Sequence, residues 1–107
     1  MRSGFGTISF FSGIGILDLG FERGGFRTWM ANEVHGPYVD AHLYARDRMG
    51  ADTPVRGVQV GPFEAFLVDG WRRHALLAAM GEAREETGLV GFVGGPPCPD
   101  FSVAGTR

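Results

Sequence analysis

The chain has 107 residues, of which 44% are hydrophobic and 21% charged, and a net charge of −2. An acidic balance with no Lys/Arg cluster beyond Arg72-Arg73 argues against an unaided grip on nucleic acid, and no apolar stretch reaches the ~20 residues of a membrane span. The single cysteine, Cys98, excludes an internal disulfide and suits a reducing, cytoplasmic setting.

This length fits one domain or a piece of one. The 18 glycines sit beside short apolar runs rather than in a repeat, which suggests tight turns between strands and helices. Residues 7–11 (Thr-Ile-Ser-Phe-Phe) read as a buried strand, not a signal peptide, because Gly and Ser interrupt the apolar run and no cleavage site follows. A turn at Ser12-Gly13-Ile14-Gly15 leads into a helix over 16–23, with Leu17, Gly20 and Phe21 on one face and Gly24-Gly25 at its end. Residues 26–32 are a second strand. Pro37 suits a first helical turn, Val39, Leu43 and Tyr44 follow at helical spacing, and Gly50 ends that helix.

A weaker third strand is expected over 55–60. Residues 63–87 read as mostly helical with a break near Gly70, leaving Trp71, Leu76, Leu77 and Met80 to pack on a sheet. A fourth strand over 89–93 runs into a loop rich in Gly and Pro. Strand and helix alternate throughout, the pattern of a parallel sheet with right-handed crossovers. The expected architecture is a Rossmann-like α/β unit with sheet order 3-2-1-4, helices on both faces and strand 4 at an exposed edge. His35, His42 and His74 lack metal-ligand spacing with one another or with Cys98, so no metal is expected; surface or packing roles are. Trp29 and Trp71 read as core, and the charged run 82–86 as a solvated helix end.

Two segments carry chemistry. A strand leading through Gly13-x-Gly15 into a helix aims backbone N–H groups at a ligand, and Gly permits close approach. An acid about 20 residues on, at the tip of the second strand, is placed to take ribose hydroxyls. Glu33 stands there; the bland alternative is a tight turn and a surface Glu. The third Gly of a dinucleotide fingerprint is replaced by Asp18, which disfavours a nicotinamide or flavin dinucleotide. The second segment is Gly95-Pro96-Pro97-Cys98-Pro99, directly after strand 4. Prolines stiffen the backbone around Cys98, as a nucleophile requires, whereas a merely structural Cys would sit on an apolar strand or helix.

Phe11-Ser12-Gly13-Ile14-Gly15 with Leu17 and Gly20-Phe21-Glu22, then Asn32-Glu33, then the block from Gly95 through Pro-Pro-Cys to Phe101-Ser102-Val103-Ala104-Gly105, resembles the opening portion of the C5-cytosine DNA methyltransferases. The resemblance implies S-adenosyl-L-methionine as methyl donor, with Phe11 against its adenine, Gly13 and Ile14 along its methionine portion, Glu33 on the ribose hydroxyls, Val34 against the purine and Pro97 beside the reacting end. It implies Cys98 as nucleophile toward C6 of a flipped cytosine, backbone at Pro96 on the base and Ser102 on a phosphate. The family's Gly-Asp pair after the third strand, whose Asp meets the adenine amino group, maps onto Gly57-Val58. Ile16 stands where a small residue is common, and a reshaped turn is expected.

The family's later Glu-Asn-Val block, its Arg-containing block and its target-recognition domain do not occur within these 107 residues. The expectation is therefore a fragment or split subunit, inactive alone, that meets double-stranded DNA through other regions or a complementary methyltransferase subunit, with no membrane partner. A non-catalytic S-adenosylmethionine-binding module and part of a tRNA cytosine methyltransferase stay open as alternatives; a nicotinamide-dependent oxidoreductase is the weakest.

Overall fold

A computed structural model describes residues 4–95. Four parallel strands, β1 (Phe5–Phe10), β2 (Phe26–Glu33), β3 (Val58–Val60) and β4 (Val90–Gly94), lie in the order β3-β2-β1-β4. Helices α1 (Ile16–Arg23), α2 (Gly36–Met49), α3 (Ala65–Val68) and α4 (Gly70–Thr87) connect them. The order matches the expectation, and so does the placement of β4 at an edge.

The pleat of β1 explains the layers. Successive side chains point to opposite faces, so Ile8 and Phe10 enter a core with Met30, Phe66, Ala79 and Ala83, on the side of α3 and α4. Ile8 and Met30 are fully buried, each worth about 1.5–3 kcal/mol relative to exposure. Ser9 points the other way and donates to Asp18 Oδ1 of α1 at 2.5 Å. Helices thus cover both faces. The β1–β2 register shifts between Thr7 and Ile8, skipping Trp29. Trp29 is buried, and its indole N–H donates to Glu82 of α4 at 3.2 Å.

Several sequence expectations need correction. β3 has three residues rather than six, because Pro54 to Gly57 closes a turn in which the Gly57 N–H donates to the Pro54 carbonyl at 2.8 Å. The buried face of α2 is Val39, His42 and Arg46; Leu43 and Tyr44 point outward. Leu76 and Met80 pack on the core as expected, but Trp71 and Leu77 are exposed, since the inner face of α4 is carried by Ala79 and Ala83. Trp71 instead lies beside the Arg72 guanidinium, 5.0 Å from its ring centre. Glu82 is tied to the fold by Arg56, with Oε2 2.6 Å from the guanidinium.

β4 has little cover. Phe92 is 61% exposed and touches Phe10 edge-on at 5.6 Å. On the α1 side an apolar trough runs along Thr7, Leu17, Phe21, Gly91 and Val93. A second trough, on the other face, runs along Phe10, Phe63, Phe66, Leu76 and Phe92. The helical face of Leu17 and Phe21 read from the sequence therefore lines this trough on the α1 side, and Phe21 also packs edge-on against Phe26 at 5.3 Å.

Candidate cofactor-binding site

The carboxyl ends of β1 and β2 meet at one sheet edge, where Phe10 pairs with Asn32. Past that pairing β1 breaks into the Gly-rich turn. Phe11 adopts φ 55°, and the Ser12 N–H donates to the Asn32 carbonyl at 3.0 Å. The Gly15 N–H then donates to the Ser12 carbonyl at 2.9 Å, and α1 begins. Positive φ is rare outside Gly, so Phe11 is held by its packing: its ring stacks on Phe63 at 5.6 Å and 30°. Ile16 is 69% exposed at the start of α1.

Gly13 and Gly15 differ. Both have positive φ, 57° and 87°. A Cβ on Gly13 would meet nothing within 4 Å, whereas one on Gly15 would overlap the His42 ring. Gly13 thus faces open space and Gly15 faces the protein. Gly13→Ala should cost only the backbone term, about 1–2 kcal/mol. Gly15→Ala adds a clash with a fully buried side chain and should lower the midpoint of thermal unfolding further; equal shifts for the two variants would refute this distinction.

Glu33 ends β2 with only 7% of its surface exposed. Its Oε1 accepts the Gly13 N–H at 2.8 Å and its Oε2 accepts the His35 N–H at 3.0 Å. The carboxylate therefore clamps the turn to the start of α2. Each carboxylate oxygen keeps further acceptor capacity, so two donors do not saturate it. Ile14 and Val34 flank it, 44% and 62% exposed. Phe11, Gly13, Ile14, Glu33 and Val34 thus share one edge.

The position after the third strand is not the one read from sequence. Val58 opens β3, paired with Ala31, while Val60 lies level with Glu33. The residues leaving the strand at the site's edge are Gly61 and Pro62, so neither carries a carboxylate. Asn32, 2% exposed, fixes this corner by donating to the Gln59 and Gly61 carbonyls, both at 3.1 Å.

β4 reaches Gly94, in register with Phe10, so the chain leaves the sheet at the same edge as the Gly-rich turn. Pro96, Pro97, Cys98 and Ser102 lie outside the described residues. Among the described residues there is no group of three or more His, Cys, Asp or Glu side chains that could hold a metal ion, and no helix long and apolar enough to cross a membrane.

Beneath the turn lies a polar network that sequence reading missed. Arg46, 2% exposed, donates from Nε to His42 Nε2 at 2.8 Å and grips Glu22 with both terminal nitrogens, at 3.1 and 2.6 Å. Thr28 donates to the same Glu22 carboxylate at 2.5 Å. Asp18 is also buried, and desolvation pushes its carboxyl above the ordinary range despite the Ser9 bond. The available signal was the spacing of Val39, His42 and Arg46, which places two polar residues on the buried stripe.

In sequence, the chain is similar to several named methyltransferases. The chain is 46% identical over 98 residues to the Type II methyltransferase M.NmeDI of Neisseria meningitidis serogroup C, covering 91% of this chain and 23% of that protein. It is 37% identical over 105 residues to the DNA (cytosine-5-)-methyltransferase M.ApeKI of Aeropyrum pernix, 94% of this chain and 21% of that protein. This chain is related to the cytosine-5 DNA methyltransferases. The Type II methyltransferase M.NgoPII of Neisseria gonorrhoeae is 32% identical over 101 residues, 92% of this chain and 23% of that protein. The chain thus spans between a fifth and a quarter of the length of the curated relatives it matches. No family model and no solved structure matches it.

Proposed function

We propose that this chain is the S-adenosylmethionine-binding and nucleophile-bearing part of a DNA (cytosine-5-)-methyltransferase of the restriction-modification kind. The observation that carries the reading is the clamp at the sheet edge: a buried carboxylate, Glu33, joined to a turn whose Gly13 faces open space. That geometry fits a nucleoside cofactor. Glu33 retains acceptor capacity for ribose hydroxyls, the start of α1 supplies the positive end of a helix, and exposed Ile14 and Val34 offer apolar flanks. Half-buried Phe11 would meet the adenine. No carboxylate stands at the tip of β3, so the adenine amino group would not be held there as in the family.

When bound, the cofactor supplies an electrophilic methyl group. The chain's part in the chemistry is Cys98, as thiolate, with Pro97 beside the cofactor and Pro96 and Ser102 toward the base and its phosphate. The Cys98 sulfur adds to C6 of the flipped cytosine, and the electron pair of the C5–C6 double bond moves to C5, which becomes nucleophilic. After C5 is methylated, loss of the C5 proton and departure of the Cys98 thiolate restore the double bond. The proton on N3 and the removal of the C5 proton need groups beyond this chain. Double-stranded DNA would be held by those same regions, because neutralising phosphates takes several cations on one face and this chain carries a net charge of −2. The exposed edge and troughs of β4 are where a complementary methyltransferase polypeptide would seat.

The test is cofactor binding by titration calorimetry. Glu33→Ala removes charge-assisted hydrogen bonds worth about 1.5–3 kcal/mol, so affinity should fall about 10- to 150-fold. Equal affinity for the two proteins would take Glu33 out of the site.

A further inference from the structure

We propose that His42 is the positioning residue of the Gly-rich turn, holding it in the cofactor-receptive shape only while its imidazole is neutral. The proposal rests on the cofactor reading above and adds a residue and a proton switch to it. The ring is fully buried and lies against Gly15, in the space a Cβ would fill. It is the floor of the turn whose open side is at Gly13.

The hydrogen-bond pattern fixes the charge state. His42 Nε2 accepts the Arg46 Nε–H at 2.8 Å, so this nitrogen carries no proton. Arg46 cannot reverse the bond, because a guanidinium has no acceptor. The imidazole proton therefore sits on Nδ1, which is buried and has no hydrogen-bond partner among the described residues. The charged groups acting on the ring are Arg46 from its own helix and Glu22 from α1. Asp18, also on α1, is buried in the same layer and coupled to both Arg46 and Glu22. Burial and then Arg46 outweigh Glu22 and push the His42 pKa below the ordinary imidazole value.

Protonation puts an Nε2–H against the Arg46 Nε–H, donor facing donor and cation facing cation. The ring can escape only by moving, and Gly15 rests on it. The Ser12–Gly15 hydrogen bond and the Gly13–Glu33 clamp then lose their support. Because the folded pKa is depressed, this support is complete above the ordinary imidazole range and is lost as pH falls through and below it.

The experiment is a pH titration of the whole chain between about pH 8 and about pH 5, followed by the Gly13 and Gly15 amide signals in nuclear magnetic resonance. Wild type and His42→Gln are compared, with and without S-adenosylmethionine. Gln can accept the Arg46 Nε–H but does not titrate. In wild type both glycine amides should shift together with a midpoint below the ordinary imidazole value, and cofactor affinity should fall about tenfold or more across that midpoint. In His42→Gln both responses should be flat. Flat glycine amides in wild type overturn the proposal without any variant. So does a pH response that survives in His42→Gln, or affinity that ignores a clear amide titration. If the amides titrate as expected but no cofactor binds at any pH, the cofactor reading fails and the support of the turn by neutral His42 stands.

Discussion

Arg46→Ala is expected to destabilise the chain by about 3–5 kcal/mol, the range for removing one partner of a buried ion pair. Four hydrogen bonds go at once: two to Glu22, one to His42 Nε2 and one to the Asp52 carbonyl. The Glu22 carboxylate, 20% exposed, is left with Thr28 alone. Small domains hold only about 5–15 kcal/mol in total, so the variant should be near unfolding at ambient temperature. Urea denaturation gives the number directly. Replacing both partners with Met should recover much of the loss, because the largest part of it is an uncompensated charge. A cost below about 1 kcal/mol, the range of exposed pairs, would mean that Arg46 is solvated and the network is not structural.

Cys98→Ser is expected to reduce methyl transfer by the completed enzyme by about 10⁴-fold or more, while cofactor affinity changes less than about twofold. A thiol is partly ionised near neutral pH and its thiolate is intrinsically nucleophilic; a serine hydroxyl is neither without a strong base beside it. The split between the two readouts makes the variant informative, since a folding defect would lower both. A Ser variant that retains transfer within about tenfold of wild type would exclude attack by Cys98 as the step that activates C5.

The parts of the molecule that depend on local spacing were readable from sequence. The Gly13-x-Gly15 turn, the helix behind it and Glu33 at the tip of β2 all stand where a strand–turn–helix rule puts them; the alternation of strand and helix gave the parallel sheet, and a reversal of the crossovers after the third strand gave its 3-2-1-4 order. What depends on long-range fit was not readable. The 55–60 stretch looks like one strand, but the Pro54–Gly57 turn shortens it to Val58–Val60, so Val58 opens β3 instead of following it. Apolar periodicity assigns polar residues to the surface, so it missed a buried layer made of Asp18, Glu22, His42 and Arg46. Trp71 reads as a sheet-packing residue of the 63–87 helix, yet Ala79 and Ala83 carry the inner face of α4 and leave Trp71 outside. That Glu33 binds the Gly13 amide itself was also hidden, since spacing says where a carboxylate stands but not what it holds.

The central claim is that this chain supplies the cofactor cradle and the nucleophile of a cytosine methyltransferase. The most direct test is transfer of a labelled methyl group from S-adenosylmethionine to C5 of cytosine in duplex DNA. It should be run with the chain alone and with a polypeptide corresponding to the remaining length of its relatives. Transfer is expected only from the combination, and only with Cys98 intact. Robust transfer by the 107 residues alone, or no cytosine methylation by the combination, would contradict it.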